Sequence, residues 1–285
     1  ILKVASKTNH MKNLRTHDIR RGSQWRTKSR LSQTDEQAQR AFETLGPDTQ
    51  MNVSLDRCPL NKLNDEYFEM FIEEFGEPTE HIQATDQQVE AYRGILPDQL
   101  LKYWQMVGFS GFNDGLFWIT NPAEFEDVLE SFLDDTEFAH YDNYHVIARS
   151  AYGQLYLWGE RTGASLDIAT HLNWIMTNQG HAKDISKGDA NIAIQSFFGF
   201  QDKEYIDVEV SSKPLFPSAI KKHGPVGKEE VMVFTPYLFM GGKKSAGATT
   251  KEDLHVFLQV MADLGGAEII DMASMVGNVL KSHRD

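Results

Sequence analysis

YHVIARSAYGQLYLWGE (144–160) is the stretch that decides the fold. Its two halves, YHVIARS (144–150) and QLYLWGE (154–160), are short runs rich in β-branched and aromatic residues. The three residues between them, Ala151-Tyr152-Gly153, include a glycine that permits a tight turn. Two such runs at this separation predict a β-hairpin, and a hairpin makes neighbouring strands antiparallel. Working outward, SLDIAT (165–170) and LNWIM (172–176) add two candidate strands downstream, and GLFWI (115–119) adds one upstream.

Helical spacing surrounds this strand-rich centre. Leu63, Tyr67, Phe71 and Phe75 recur every four residues opposite an acidic face, with Gly76 and Pro78 as the stop. Pro97 opens a second helix that turns Leu100, Leu101, Trp104 and Val107 inward and ends at Gly108. Asn121-Pro122-Ala123-Glu124 supplies cap, first-turn proline and capping acid for a helix to Leu133. Asp189–Phe198 is a further helix, and 211–228 holds a short one between loops. EVMVFTPYLFM (230–240) is strand-like up to Pro236. Thr250 is positioned to cap a helix that ends at Gly265-Gly266, and 267–281 has the spacing of a last helix. Thr34 with Gln37, ahead of Gly46-Pro47, predicts a short helix over 35–45. The expected class is α+β: an antiparallel sheet with packed helices in a single main globular domain, plus an N-terminal basic arm.

Charge divides the chain more sharply than hydrophobicity does. Residues 1–50 carry ten Lys or Arg against five Asp or Glu, a balance of +5, while 51–285 carry 18 against 36, a balance of −18. The arm is therefore expected to be foreign to the body: a remnant of an upstream partner, an appended extension, or simply a solvated basic tail, with Met51 as a plausible separate start. Two stretches of the body, Leu63–Tyr92 and Tyr103–Ala148, contain no Lys or Arg at all. Single-sign charge of this kind repels nucleic acid and speeds association with basic proteins. It excludes a nucleic-acid-binding body and suits a basic protein partner such as a nuclease. Among the acids of these stretches, Glu73, Glu77, Asp134, Asp135, Glu137 and Asp142 are the candidate partner contacts, on the expectation that they are exposed.

Motifs for catalysis are absent from the sequence. Gly108-Phe109-Ser110-Gly111 lacks the nucleophile-elbow spacing, and there is no P-loop, dinucleotide fingerprint or HExxH. His140, Asp142 and His145 form the densest ligand-type cluster, but i, i+2, i+5 fits no common metal site, and a strand would set the two histidines on opposite faces. His10, His17 and Asp18 resemble nuclease chemistry, yet fifty residues cannot build such a domain. The single cysteine, Cys58, rules out a disulfide framework within these residues and reads as an inert thiol. Tyr103, Trp104, Phe117, Trp118, Tyr156, Trp158 and Trp174 could box a ligand, although core is the commoner role. No cofactor, metal or catalytic residue is expected. No apolar run is long enough for a membrane helix, and a cytoplasmic location is expected.

ILPDQLLKYWQMVGFSGFNDGLFWITNPAEFEDVL (95–129), followed by HVIARSAYGQLYLW (145–158), resembles the GAD-like domain family. FTPYLFMGGKKSAGATTKEDLHVFLQVMADLGG (234–266) is similar to a C-terminal region found in immunity proteins of bacterial type VI secretion systems. On that resemblance the body divides into 51–180, GAD-like, and 181–285, immunity-type. The resemblance implies bacterial competition: a protein that binds and inhibits a cognate effector toxin, commonly a DNase, by blocking its active cleft. It carries over no catalytic residues. The alternative is a non-enzymatic regulatory or adaptor protein whose basic arm contacts nucleic acid; a weaker option is a hydrolase with a dispersed site.

Overall fold

The computed structural model describes residues 65–211, 213–272 and 274. The expected helix over 35–45, Met51 and Cys58 lie outside them. In chain order the first half comprises α1 (Glu66–Phe75), β1 (Pro78–Glu80), α2 (Asp86–Ala91), α3 (Asp98–Val107), β2 (Gly111–Phe112), β3 (Phe117–Ile119) and α4 (Glu126–Leu133). The strands of the centre follow: β4 (Tyr144–Ser150), β5 (Gln154–Gly159), β6 (Gly163–Ala169) and β7 (Trp174–Thr177). Then come α5 (Ala182–Ile185), α6 (Ala190–Gly199), α7 (Lys203–Ile206), β8 (Glu209–Val210), β9 (Lys213–Pro214) and α8 (Phe216–His223). The chain continues with β10 (Glu230–Phe234), β11 (Thr249–Asp253), α9 (Leu254–Leu264) and β12 (Glu268–Asp271).

Eight strands form one sheet in the order β1-β2-β3-β4-β5-β6-β7-β12. Every pairing is antiparallel except β12 on β7, so the α+β class and antiparallel sheet expected from the hairpin are what the chain adopts. The central turn is set by Ser150, whose Oγ accepts from the backbone N–H of Tyr152 and Gln154, each at 3.2 Å. Gly153 completes it at φ +77°.

Period-two alternation gives the sheet two buried faces. Ile147, Tyr156, Trp158 and Ala164 point to a layer made by α1, α3, α6 and α8. At its centre Phe71 is fully buried and meets the rings of Phe68, Phe75, Phe112, Phe117 and Phe198. Val146, Leu155, Leu157, Leu166, Ile168 and Ile175 point the other way, onto α4 and α9. The small β10–β11 ladder closes the molecule by sending Val231 and Val233 to the second layer and Met232 and Phe234 to the first. Polar staples fix the helices: Asp65 caps α1 through Tyr67 and Phe68 N–H and also accepts from Gln99 Nε2 at 2.9 Å and the Tyr103 hydroxyl. Asp207 accepts from Phe216 N–H and from the Tyr152 hydroxyl at 2.9 Å.

Two local expectations are corrected. Thr250 is not a helix cap; it pairs with Val233 in β11, and Asp253 caps α9 by accepting from Val256 N–H at 2.9 Å. Residues 268–271 are not helical either. The Ile269-Ile270 pair, isolated by Gly265-Gly266, extends along the open edge of β7, and only Met272 begins helical geometry, capped by Asp271. A β-branched pair beside an unpaired edge gains a hydrogen-bond ladder that its spacing alone does not reveal. The rest of the expected final helix lies outside the described residues. Thr85 and Gln88 form a capping box that starts the short helix α2, which the sequence reading did not single out.

Candidate functional site

A groove of about 350 Å³ runs along one flank of α4. The helix explains its chemistry. Val128, Leu129, Phe132 and Leu133 face the sheet, which leaves Glu126, Glu130 and Asp134, spaced one turn apart, along the helix edge. Leu129, Leu133 and Phe138 form an apolar floor between this acidic edge and the opposite wall. That wall comes from the turn Glu137–His140 and the start of β4: His140, Asn143, Tyr144 and His145. At one end the Tyr92 hydroxyl donates to Glu126 Oε1 at 3.4 Å, and burial together with Glu126 pushes Tyr92 up to about 12. His145 Nε2 lies 3.1 Å from Glu160 Oε1. Among the described residues, Glu130 and Asp134 make no ion pair.

The six acids expected to meet a partner are not one patch. Glu73 and Glu77 are exposed at the end of α1, in the layer on the first face of the sheet. Asp134, Asp135 and Glu137 are exposed after α4, in the layer on the second face. Only Asp134 and Asp142 line the groove. Asp142 is not an exposed acid: its side chain is 1% exposed. Its carboxylate accepts from Arg161 N–H at 3.1 Å, Thr162 N–H at 2.9 Å, the Thr162 hydroxyl at 2.7 Å and Asn143 N–H at 2.9 Å. It staples the β5–β6 turn to the start of β4. The expectation failed because acidity in a one-sign stretch says nothing about which carboxylate a neighbouring turn will claim.

The two histidines of the ligand-type cluster also differ from expectation. His140 sits in the turn before β4, not in the strand, so His140 and His145 line the same groove. Among the described residues no group of three or more His, Cys, Asp or Glu side chains is placed to hold a metal. Glu126, Glu130 and the apolar floor were missed as site residues, although their i, i+4, i+8 spacing was present in the sequence.

Two further features belong to the same neighbourhood. A second groove, of about 410 Å³, lies between β10–β11 and α9, with Phe234, Pro236, Tyr237, Met240, Val256 and Val260 along it. On the α9 wheel Val256 and Val260 fall on the flank away from His255, whose ring meets Phe125 at the start of α4. The acidic groove, α4, α9 and the apolar groove thus follow one another across the second face. Arg149 is buried on β4 opposite Trp118 of β3, with its guanidinium 5.0 Å from the indole ring. It donates to the carbonyls of Gly227 at 3.0 Å and Lys228 at 2.6 Å, and burial holds it down to about 9. Lys228 in turn reaches Glu124 at 3.0 Å, so this cluster ties the 227–228 loop to the sheet. The aromatics weighed as a ligand box are core, with Trp174 alone only partly buried.

Among the described residues no helix is long and apolar enough to cross a membrane. No curated protein matches the chain. A crystal structure of Atu4351 from Agrobacterium tumefaciens is similar in fold, with a TM-score of 0.62 at 18% identity over 72% of this chain and 92% of that one. The family comparison matches α1 through the turn after β6, a span that contains the whole α4 groove: residues 66–172 match the GAD-like domain.

Proposed function

We propose that this chain is an immunity protein that binds a cognate type VI secretion toxin, a basic nuclease, and blocks its active cleft without catalysing any reaction. The observation that carries the reading is the α4 groove: three acids one turn apart above an apolar floor, in a stretch with no Lys or Arg from Tyr103 to Ala148. Such a rim raises the rate of encounter with a cationic surface, and an apolar floor supplies what charge alone does not, a desolvated anchor. A nuclease presents the complement, because its cleft must attract phosphate. The resemblance of 234–266 to immunity regions points the same way. Binding takes place in the bacterial cytoplasm, where the toxin would act, and involves neither membrane nor nucleic acid on the part of the body.

The test is growth rescue. The full chain is co-produced with the product of the gene immediately upstream, with and without Glu126→Gln/Glu130→Gln/Asp134→Asn. Rescue by the wild type that is lost or weakened in the triple variant supports the reading. Death in the presence of the wild type with every neighbouring toxin, or turnover of a substrate by the purified chain, ends it.

A further inference from the structure

We infer that the apolar groove beside α9 joins this chain to a second copy of itself about a two-fold axis at Val260, with Glu252 and Asp253 of each copy against Lys243 and Lys244 of the other. The contact is separate from the α4 groove and requires no toxin.

Helical spacing builds the apolar part. α9 turns Leu254, Phe257, Leu258 and Met261 into the core. Val256, Val260 and Leu264, one turn apart, stand on the outside, and Val256 is 64% exposed. Such a row is an i±4 ridge, the kind that packs against the ridge and groove of an equivalent helix. Across the groove Met240 is exposed as well, on a wall shared with Pro236 and Tyr237. A row of apolar side chains facing an exposed methionine is a patch, not surface residues scattered singly. Val260 is the middle of the row, so a two-fold axis there lays Val256 against Leu264 of the second copy and uses the same row twice.

Charge favours a second copy over any other partner. The β10–β11 ladder runs from the Glu230–Asp253 pair to the Phe234–Thr249 pair, ends that lie about 14 Å apart along a strand. Glu252 and Asp253 line the groove at the first end and are exposed. The excursion 235–248, with exposed Lys243 and Lys244, leaves from the second end. Lys244 lies towards the close of α9: burial and then the Lys244 charge hold His171 down to about 4, and Asn173, two residues on, donates to the carbonyls of Gly265 at 3.3 Å and Gly266 at 3.2 Å. Among the described residues none of these four charged side chains makes an ion pair. The surface is thus negative at one end, apolar in the middle and positive at the other end. A partner of one sign is attracted at one end and repelled at the other, whereas a second copy turned through 180° matches both ends, twice per dimer. α4 lies on the other flank of α9, where His255 meets Phe125, so the contact leaves the α4 groove open.

Sedimentation velocity of the full chain, from about 1 to 100 μM at low salt, tests this. The expected result is a species of twice 32.4 kDa that grows with concentration. Val260→Glu sets two like charges at the axis and should weaken association about tenfold or more, while thermal unfolding stays with the wild type because Val260 is exposed. Glu252→Lys and Lys244→Glu, each alone, should weaken association about fivefold, and the two together should restore it to within about twofold, because exchanging the charges preserves the match. That restoration separates this contact from a dimer formed anywhere else on the chain, and it decides the matter where Val260→Glu lowers Tm. A chain that stays monomeric over the whole range, a dimer that a folded Val260→Glu leaves intact, or charge changes that fail to compensate overturns the inference. Growth rescue is a separate readout: a monomer that rescues removes only the dimer, and a dimer that does not rescue removes only the toxin.

Discussion

Asp142 separates a structural carboxylate from a contact residue. Replacing it with alanine removes the acceptor for three donors across the β5–β6 turn, Arg161 N–H, Thr162 N–H and the Thr162 hydroxyl, and for the local Asn143 N–H. Hydrogen bonds to a charged acceptor contribute about 1.5–3 kcal/mol each, but donors in one turn do not add fully, and water reaches part of the opened turn. The expected loss is about 3–5 kcal/mol, which for a domain of this size lowers Tm by roughly 6–20 °C. Asp142→Asn keeps one acceptor oxygen but turns an amide toward Thr162 N–H, so about half of the loss remains. Thermal unfolding of the full chain, followed by circular dichroism, measures both. Combining Asp142→Ala with Thr162→Val should cost clearly less than the sum of the single changes, because each removes a partner of the other. An Asp142→Ala chain that melts within about 2 °C of wild type would refute the staple and return Asp142 to the surface role first expected of it.

Asp167 faces Tyr156 across β5–β6 in a partly buried position, and burial pushes its carboxyl up to about 7. A folded-state value above the unfolded one near 3.9 means the ionised form destabilises the fold; the cost is absent below pH 4, grows to pH 7 and is full above it. Asp167→Asn should therefore leave stability unchanged near pH 4 and raise it at pH 8. The full interval corresponds to ~4 kcal/mol, and the residual solvent contact reduces the expectation to about 1–3 kcal/mol, read from urea titrations at the two pH values. Gly115 stands at φ +85°, and a Cβ there would land on the Val226 carbonyl oxygen, next to the bond from Val226 N–H to Asp114 O at 2.9 Å. Gly115→Ala should cost about 3 kcal/mol or more by the same titration, through backbone strain and the displaced 224–228 loop together.

The hairpin, the sheet's antiparallel character and helices α1, α3, α4 and α9 were legible because each carries a local signal: alternation, a proline start, a glycine stop. β12 was not. Its Ile269-Ile270 pair fits either period, and an unpaired neighbour in β7, distant in sequence, decided between them. The site was half legible. The absence of Lys and Arg from 103–148 pointed to the segment that holds the α4 groove, but net charge is a scalar and a groove is a direction. Asp142 and Asp134 look alike in the sequence; one turns inward to a hairpin loop and the other stays at the α4 edge. Arg149 gave no warning either, because a buried guanidinium needs Trp118 and two loop carbonyls that lie far along the chain.

Glu130 and Asp134 on the edge of α4 are not there for the helix. Glu126–Glu130 and Glu130–Asp134 are like-charge pairs at i, i+4, each costing about 0.2–0.5 kcal/mol. Asp134 stands at the C-terminal end, where the helix dipole disfavours a negative charge by about 0.3–1 kcal/mol. At the end of α1 the same problem is met within the fold, for Lys203 Nζ donates to the Glu74 carbonyl at 2.9 Å. At α4, among the described residues, no cation answers Glu130 or Asp134. Glu130→Lys would exchange two repulsions for two attractions, so the body should gain about 0.5–1 kcal/mol, a rise of roughly 1–4 °C in Tm. The same change should weaken any basic partner that binds at the groove. Stability and binding moving in opposite directions is the signature of a charge row maintained for something outside the body. A Glu130→Lys chain that melts lower than wild type would show instead that Glu130 serves the fold, and the groove would lose its claim to a cationic occupant.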